Sequence, residues 1–138
     1  MKVHQEEIYT LLSGDSTLRG LLNATTIDTH ITSIKTAQLE VFPCITYAVS
    51  DGVFNTVPLH TQNIIIEFHI YAKESIAGSQ DGKLIVENIN NRLNTLMNYY
   101  QKANSDIFYI KQVLDMDMPE NDRQLSGKTV RYKIWAMV

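Results

Sequence analysis

The sequence predicts an α+β domain. It should hold a mostly antiparallel sheet of four or slightly more strands, a long helix packed on one face, and one or two N-terminal helices. Three patterns carry that prediction. Four segments alternate apolar and polar residues with period two, the strand signature. One long segment repeats its apolar residues every three or four positions, the signature of a helix with one buried face. The order is helix, helix, a weak segment, strand, strand, long helix, strand, strand. Short loops within each strand pair suggest antiparallel hairpins.

Ile8, Leu11 and Leu12 place a helix over about Lys2 to Leu12. Ser13-Gly14 supplies its stop, because glycine tolerates the left-handed conformation at a helix end. Asp15 or Ser16 can cap a second short helix that carries Leu18, Leu21 and Leu22 on one face. Thr25 to Glu40 is polar and weakly periodic, with a short strand over Thr29 to Ile34. Ile45, Tyr47 and Val49 alternate as a strand, and Asp51-Gly52 signals a turn. A loop from Val53 to His60, holding Phe54 and Pro58, leads into a strand from Thr61 to Lys73. There Ile64, Ile66, Phe68 and Ile70 line one side.

Asp81 can cap the long helix, about Asp81 to Gln101, whose stripe is Val86, Ile89, Leu93, Leu96 and Tyr100. Ile107 to Met118 alternates again and should place Phe108, Ile110, Leu114 and Met116 on one side. Pro119 to Gly127 reads as a loop. Lys128 to Val138 is the last strand. Val130, Tyr132, Ile134 and Ala136 face one way, and Thr129, Arg131, Lys133, Trp135 and Met137 the other.

At 138 residues the chain is one domain spanning 1–138, too short for two independent cores. Hydrophobic residues at 44% and charged residues at 20% give an ordinary globular balance. The net charge of −3 argues against binding a DNA backbone by bulk charge, so no sequence-specific nucleic-acid partner is expected. Arg123, Lys128, Arg131 and Lys133 gather near the C-terminus and read as a charged sheet face rather than a DNA-facing patch. The N-terminus turns acidic at Glu6-Glu7 without an apolar stretch, so no signal peptide is expected. No run approaches the roughly 20 apolar residues of a membrane span, so no membrane partner is expected either. The expected folding compartment is a reducing cytoplasm, and Cys44, the one cysteine, reads as a small buried hydrophobe rather than a nucleophile.

The search for chemistry returns little. His4, His30, His60 and His69 share no metal-ligand spacing, so no metal is expected. Glu67-x-His69 could orient a general base, but without a nucleophile or second acid it reads as a polar pair on a strand. Asp115 and Asp117 share a strand face and could approach a divalent cation. Pro119 and the missing glycine break the calcium-loop pattern, and a solvated hairpin loop is the simpler reading. There is no nucleophile elbow and no phosphate-binding loop. No catalytic residue and no cofactor are expected.

Four landmarks occur in order. They are the run Ile8-Tyr9-Thr10-Leu11-Leu12-Ser13-Gly14-Asp15-Ser16-Thr17-Leu18, the segment Phe42-Pro43-Cys44-Ile45-Thr46-Tyr47, the strand Ile66 to Lys73 before a small-residue loop and long helix, and the closing Val130-Arg131-Tyr132-Lys133-Ile134-Trp135. Together they resemble the tail-completion, or tail terminator, family of tailed bacteriophages, across almost the whole chain. The sequence departs from the family in the polar stretch Thr25 to Val41 and in its long tip, Asp117 to Gly127.

The resemblance implies a structural virion protein at the head–tail interface, made in the host cytoplasm. Six copies would form a homohexameric ring, either beforehand or from monomers on the tube end. The ring would cap the head-proximal end of the tail tube, stop polymerisation and join tail to head. Its partners would be further copies of itself, the major tail tube protein and a head-completion or neck protein. Candidate interface residues are Phe54, Pro58, His60, Arg123, Arg131, Lys133 and Trp135, because aromatics on polar surfaces often carry binding energy. A head-completion or stopper adaptor of the neck, and a small ligand-binding α+β domain, remain the alternatives.

Overall fold

The protein, seen in a computed structural model, is described over residues 2–22, 30–33, 42–50, 54–55, 61–73, 82–100, 105–118 and 125–137. Three helices and six strands make up these residues. They are α1 (Lys2–Ser13), α2 (Ser16–Leu21), β1 (Ile31–Ser33), β2 (Cys44–Ser50), β3 (Phe54–Asn55), β4 (Thr61–Lys73), α3 (Gly82–Met97), β5 (Ile107–Met118) and β6 (Leu125–Met137). The strands form one sheet in the order β1-β2-β4-β6-β5, and β3 pairs with β4 beyond the end of β2. All pairings are antiparallel except β1 with β2. This is the α+β class expected.

The spine is β4 against β6, paired from Thr61↔Met137 to Lys73↔Leu125. Their alternation sends Ile64, Ile66, Phe68, Ile70 and Ala72, with Val130, Tyr132, Ile134 and Ala136, into one buried face. α3 lays Val86, Ile89, Leu93 and Met97 across it, at the spacings that keep residues on one side of a helix. Ile8 and Leu12 of α1 close over the other end, near Ile31, Tyr47, Ile66 and Phe68. Each such aliphatic side chain contributes about 1.5–3 kcal/mol when fully buried, so this layer contact is the main source of stability. Among the described helices, none lies on the opposite face.

The turn between α1 and α2 differs from the expected one. Gly14 does not adopt the left-handed conformation; its N–H bonds to the Thr10 carbonyl at 3.0 Å, and a Cβ there would stand 3.1 Å from that oxygen. Asp15 then caps α2, accepting from the Leu18 N–H at 2.8 Å. The same carboxylate takes two hydrogen bonds from Arg92 of α3, at 2.6 and 2.8 Å. One aspartate thus ends a helix and ties it to another.

The Arg92 hydrogen bonds, with the Leu18 N–H, hold the Asp15 carboxyl below its ordinary value of 3.8 against the opposing effect of burial. A lowered carboxylate pKa contributes stability above about pH 4, which is lost as pH falls through the folded value. Asp15→Ala should therefore cost about 1 kcal/mol for the cap alone, with the loss of the Arg92 tie added. Thermal melts should also show the variant losing less stability than wild type between neutral pH and pH 3. Equal acid sensitivity would refute this account of Asp15.

Several element boundaries move. α3 ends at Met97 rather than near Gln101, because Tyr99 adopts φ 61° and turns the chain. Tyr99 then donates its N–H to the Ile110 carbonyl at 2.9 Å. β6 starts at Leu125, three residues before the expected Lys128, so part of the expected loop is strand. Phe54, expected in a loop, belongs to β3 and pairs with Gln62. The Asp51-Gly52 turn and the Asp81 cap lie outside the described residues.

The largest correction concerns β5. Its register against β6 slips between Ile107 and Tyr109 and again between Gln112 and Leu114, two β-bulges at Phe108 and Val113. Each extra residue inverts the alternation beyond it. Ile110 consequently faces the core, whereas Leu114 and Met116 face the other way, opposite Arg131 and Thr129. Phe108, Val113 and Met116 are all exposed. The single apolar side expected for Phe108, Ile110, Leu114 and Met116 does not exist.

Candidate functional site

The face of the sheet turned away from the described helices is the most distinctive surface. It is built from the alternate residues of β4, β5 and β6 that the core leaves out. Across it, Glu67 pairs with Arg131 and holds His69 Nε2 at 2.8 Å. His69 Nδ1 lies 3.2 Å from the Thr129 hydroxyl, and its ring stacks on Tyr71. Glu67, His69, Thr129 and Arg131 each have a polar partner within this row. The Glu67–His69 pair is thus a satisfied polar row on the sheet, as the sequence suggested, and Arg131 has its charge matched.

Next to that row runs an aromatic one. Tyr109 stands opposite Trp135 in register, with ring centroids 5.0 Å apart, and Tyr99 meets Tyr109 edge-on at 5.9 Å. The Lys133 ammonium sits 5.1 Å from the Trp135 ring, a cation–π contact. Lys111 lies directly across from Lys133. Like charges facing each other across a strand pair are unfavourable. Among the described residues no carboxylate pairs with either lysine.

Lys128 parts company with this surface. It pairs with Ile70 on the core face, not with Arg131 and Lys133, and only 8% of its side chain is exposed. Its ammonium lies 2.6 Å from Glu87 of α3, 2.8 Å from Asp115 and 3.5 Å from Asp117. The two aspartates that the sequence placed on one face do hold a cation, and it is the chain's own lysine. Burial opposes the charge on Lys128, but its hydrogen bonds to Asp115 and Glu87, and their charges, outweigh that and raise its pKa. A cleft of about 400 Å³ opens beside this cluster, with Glu87 and Asp117 in its wall. Among the described residues no group of His, Cys, Asp and Glu is suited to a metal ion. No helix there is long and apolar enough to cross a membrane.

The fold recurs in a virion. A chain in the virion of the native gene transfer agent (GTA) particle superposes with a TM-score of 0.68, over 95% of this chain and 92% of that one. The identity is 6%, so what the two share is the fold. No family model matches the sequence, and no curated protein matches it.

Of the interface residues expected from sequence, the structure brings Arg131, Lys133 and Trp135 to one sheet face. Phe54 pairs with Gln62 on β4, one register step from the Asn63–Trp135 pair, and Pro58, His60 and Arg123 lie outside the described residues. Sequence reasoning missed Lys111, Tyr109 and Tyr99. Lys111 and Tyr109 sit between the two bulges, where simple alternation cannot say which neighbours they meet. Cys44 is 4% exposed, and burial pushes its thiol up to about 11, so it is a packing residue as expected.

Proposed function

We propose that this chain is a structural component of a phage-like virion, the subunit of a tail terminator ring. Six copies cap the head-proximal end of the tail tube, stop its polymerisation and present a surface to a head-completion or neck protein. The role contains no catalytic step and uses no cofactor. The observation that carries the reading is the end-to-end likeness of fold to a chain of the GTA virion. The ordered landmarks from Ile8 to Trp135 support the narrower assignment to a terminator. A sheet face that no described helix covers, with an aromatic row across it, supports self-assembly, since a small subunit with two unlike contact surfaces closes into a ring when the rotation permits.

Light scattering over a range of protein concentrations, with negative-stain images of the largest species, tests the reading. Six-fold rings with a central hole are the expected result. A protein that forms no ring in solution and also fails to bind isolated tail tubes would exclude a terminator.

A further inference from the structure

The structure places two patches of opposite net charge on opposite faces of one sheet. On the face turned away from the described helices, Lys111 and Lys133 stand across from each other beside Trp135, with no carboxylate pairing with either among the described residues. On the helix-bearing face, three carboxylates, Glu87, Asp115 and Asp117, surround the single ammonium of Lys128. Lys83 lines the cleft beside them, so these three carboxylates stand against two ammonium groups and the corner keeps a net negative charge. The Lys111–Lys133 pair carries the opposite sign. Asp117 is 83% exposed, and Glu87 and Asp115 are 46% and 41% exposed, so the acidic patch is open to a partner.

We propose that these patches mate between copies of this chain: the Lys111–Lys133 face of one subunit receives the Glu87–Asp115–Asp117 corner of the next. The occupant of the Lys111–Lys133 face is a second copy, and charge complementarity argues for it. The contact would bring the opposite charges together and bury Trp135 and Tyr109 at its centre, where aromatic anchors contribute most. The two patches lie on opposite sides of a layered domain, so each copy that docks through one leaves the other free. Such head-to-tail contacts propagate rather than stopping at a two-fold dimer, and they close into a ring when the rotation between neighbours permits. The inference rests on the ring reading and specifies how its subunits meet.

Single charge reversals at exposed positions test it. Lys111→Glu places opposite charges across β5 and β6, so the monomer should melt slightly higher than wild type. Self-association, followed by sedimentation equilibrium, should nevertheless weaken about tenfold or more. Asp117→Lys should weaken it likewise with circular dichroism unchanged. Mixing the two variants should restore association, because the intact patches pair and the two reversed charges also attract each other. Wild-type association should also fall with salt, since screening extends over about 8–10 Å. Rings that persist unchanged in both variants would overturn this contact and leave the terminator reading standing. Wild-type protein that neither self-associates nor binds tail tubes would overturn both.

Discussion

Phe68→Ala should lower stability by about 3–5 kcal/mol, the cost of removing a fully enclosed aromatic ring. Phe68 has no exposed surface and meets Tyr132 edge-on, with ring centroids 5.9 Å apart. It lies on the central strand, paired with Tyr47 on one side and Val130 on the other. α1 and α3 both pack on this face of the sheet, so truncation opens a cavity between the helices and the sheet. A domain of this size has roughly 5–15 kcal/mol in total, so a large share of it would go. Urea unfolding should show the midpoint fall with the slope unchanged. A loss under about 1 kcal/mol would mean that the core repacks into the space, contrary to the close packing seen.

Lys128→Met should cost about 2 kcal/mol. Removing one partner of a buried ion pair costs about 3–5 kcal/mol when the remaining charge is sealed from water. Glu87 and Asp115 are 46% and 41% exposed and can be partly rehydrated, which lowers the figure. Most of the loss should return when Asp115→Asn and Glu87→Gln accompany Lys128→Met, because the stranded charges are then gone. A triple variant no more stable than Lys128→Met alone would assign the effect to lost packing instead. The raised pKa of Lys128 adds a pH dependence. Its contribution is complete below the ordinary lysine value of 10.5 and disappears as pH rises through the higher folded value. Wild type should thus lose stability in strongly alkaline solution over a range where Lys128→Met does not.

Much of the candidate surface was legible in the residue pattern of β6. Strict alternation from Val130 to Ala136 separated Tyr132 and Ile134 from Arg131, Lys133 and Trp135, and the structure keeps that division. The same rule misassigned β5, because a bulge leaves no mark in hydrophobic periodicity. A bulge is a property of the pairing: Val113 is an extra residue only with respect to Arg131 and Tyr132 on the neighbouring strand. Lys128 was misread for a related reason. Its charge predicted a surface position, whereas Glu87, 41 residues earlier, makes a buried one tolerable.

The sequence by itself determined the class of this protein, the strand of Thr61–Lys73 and the stripe that α3 buries. Local periodicity encodes which face of an element is apolar, and an apolar face has nowhere to go but the core. Only the tertiary structure decided which charges are matched. Arg131 is matched by Glu67 across two strands, Lys128 by carboxylates from a helix and a strand, and Lys111 and Lys133 by no described carboxylate. Ion pairing depends on distances of a few ångströms between side chains far apart in the chain, and those distances exist only once the sheet and its register have formed.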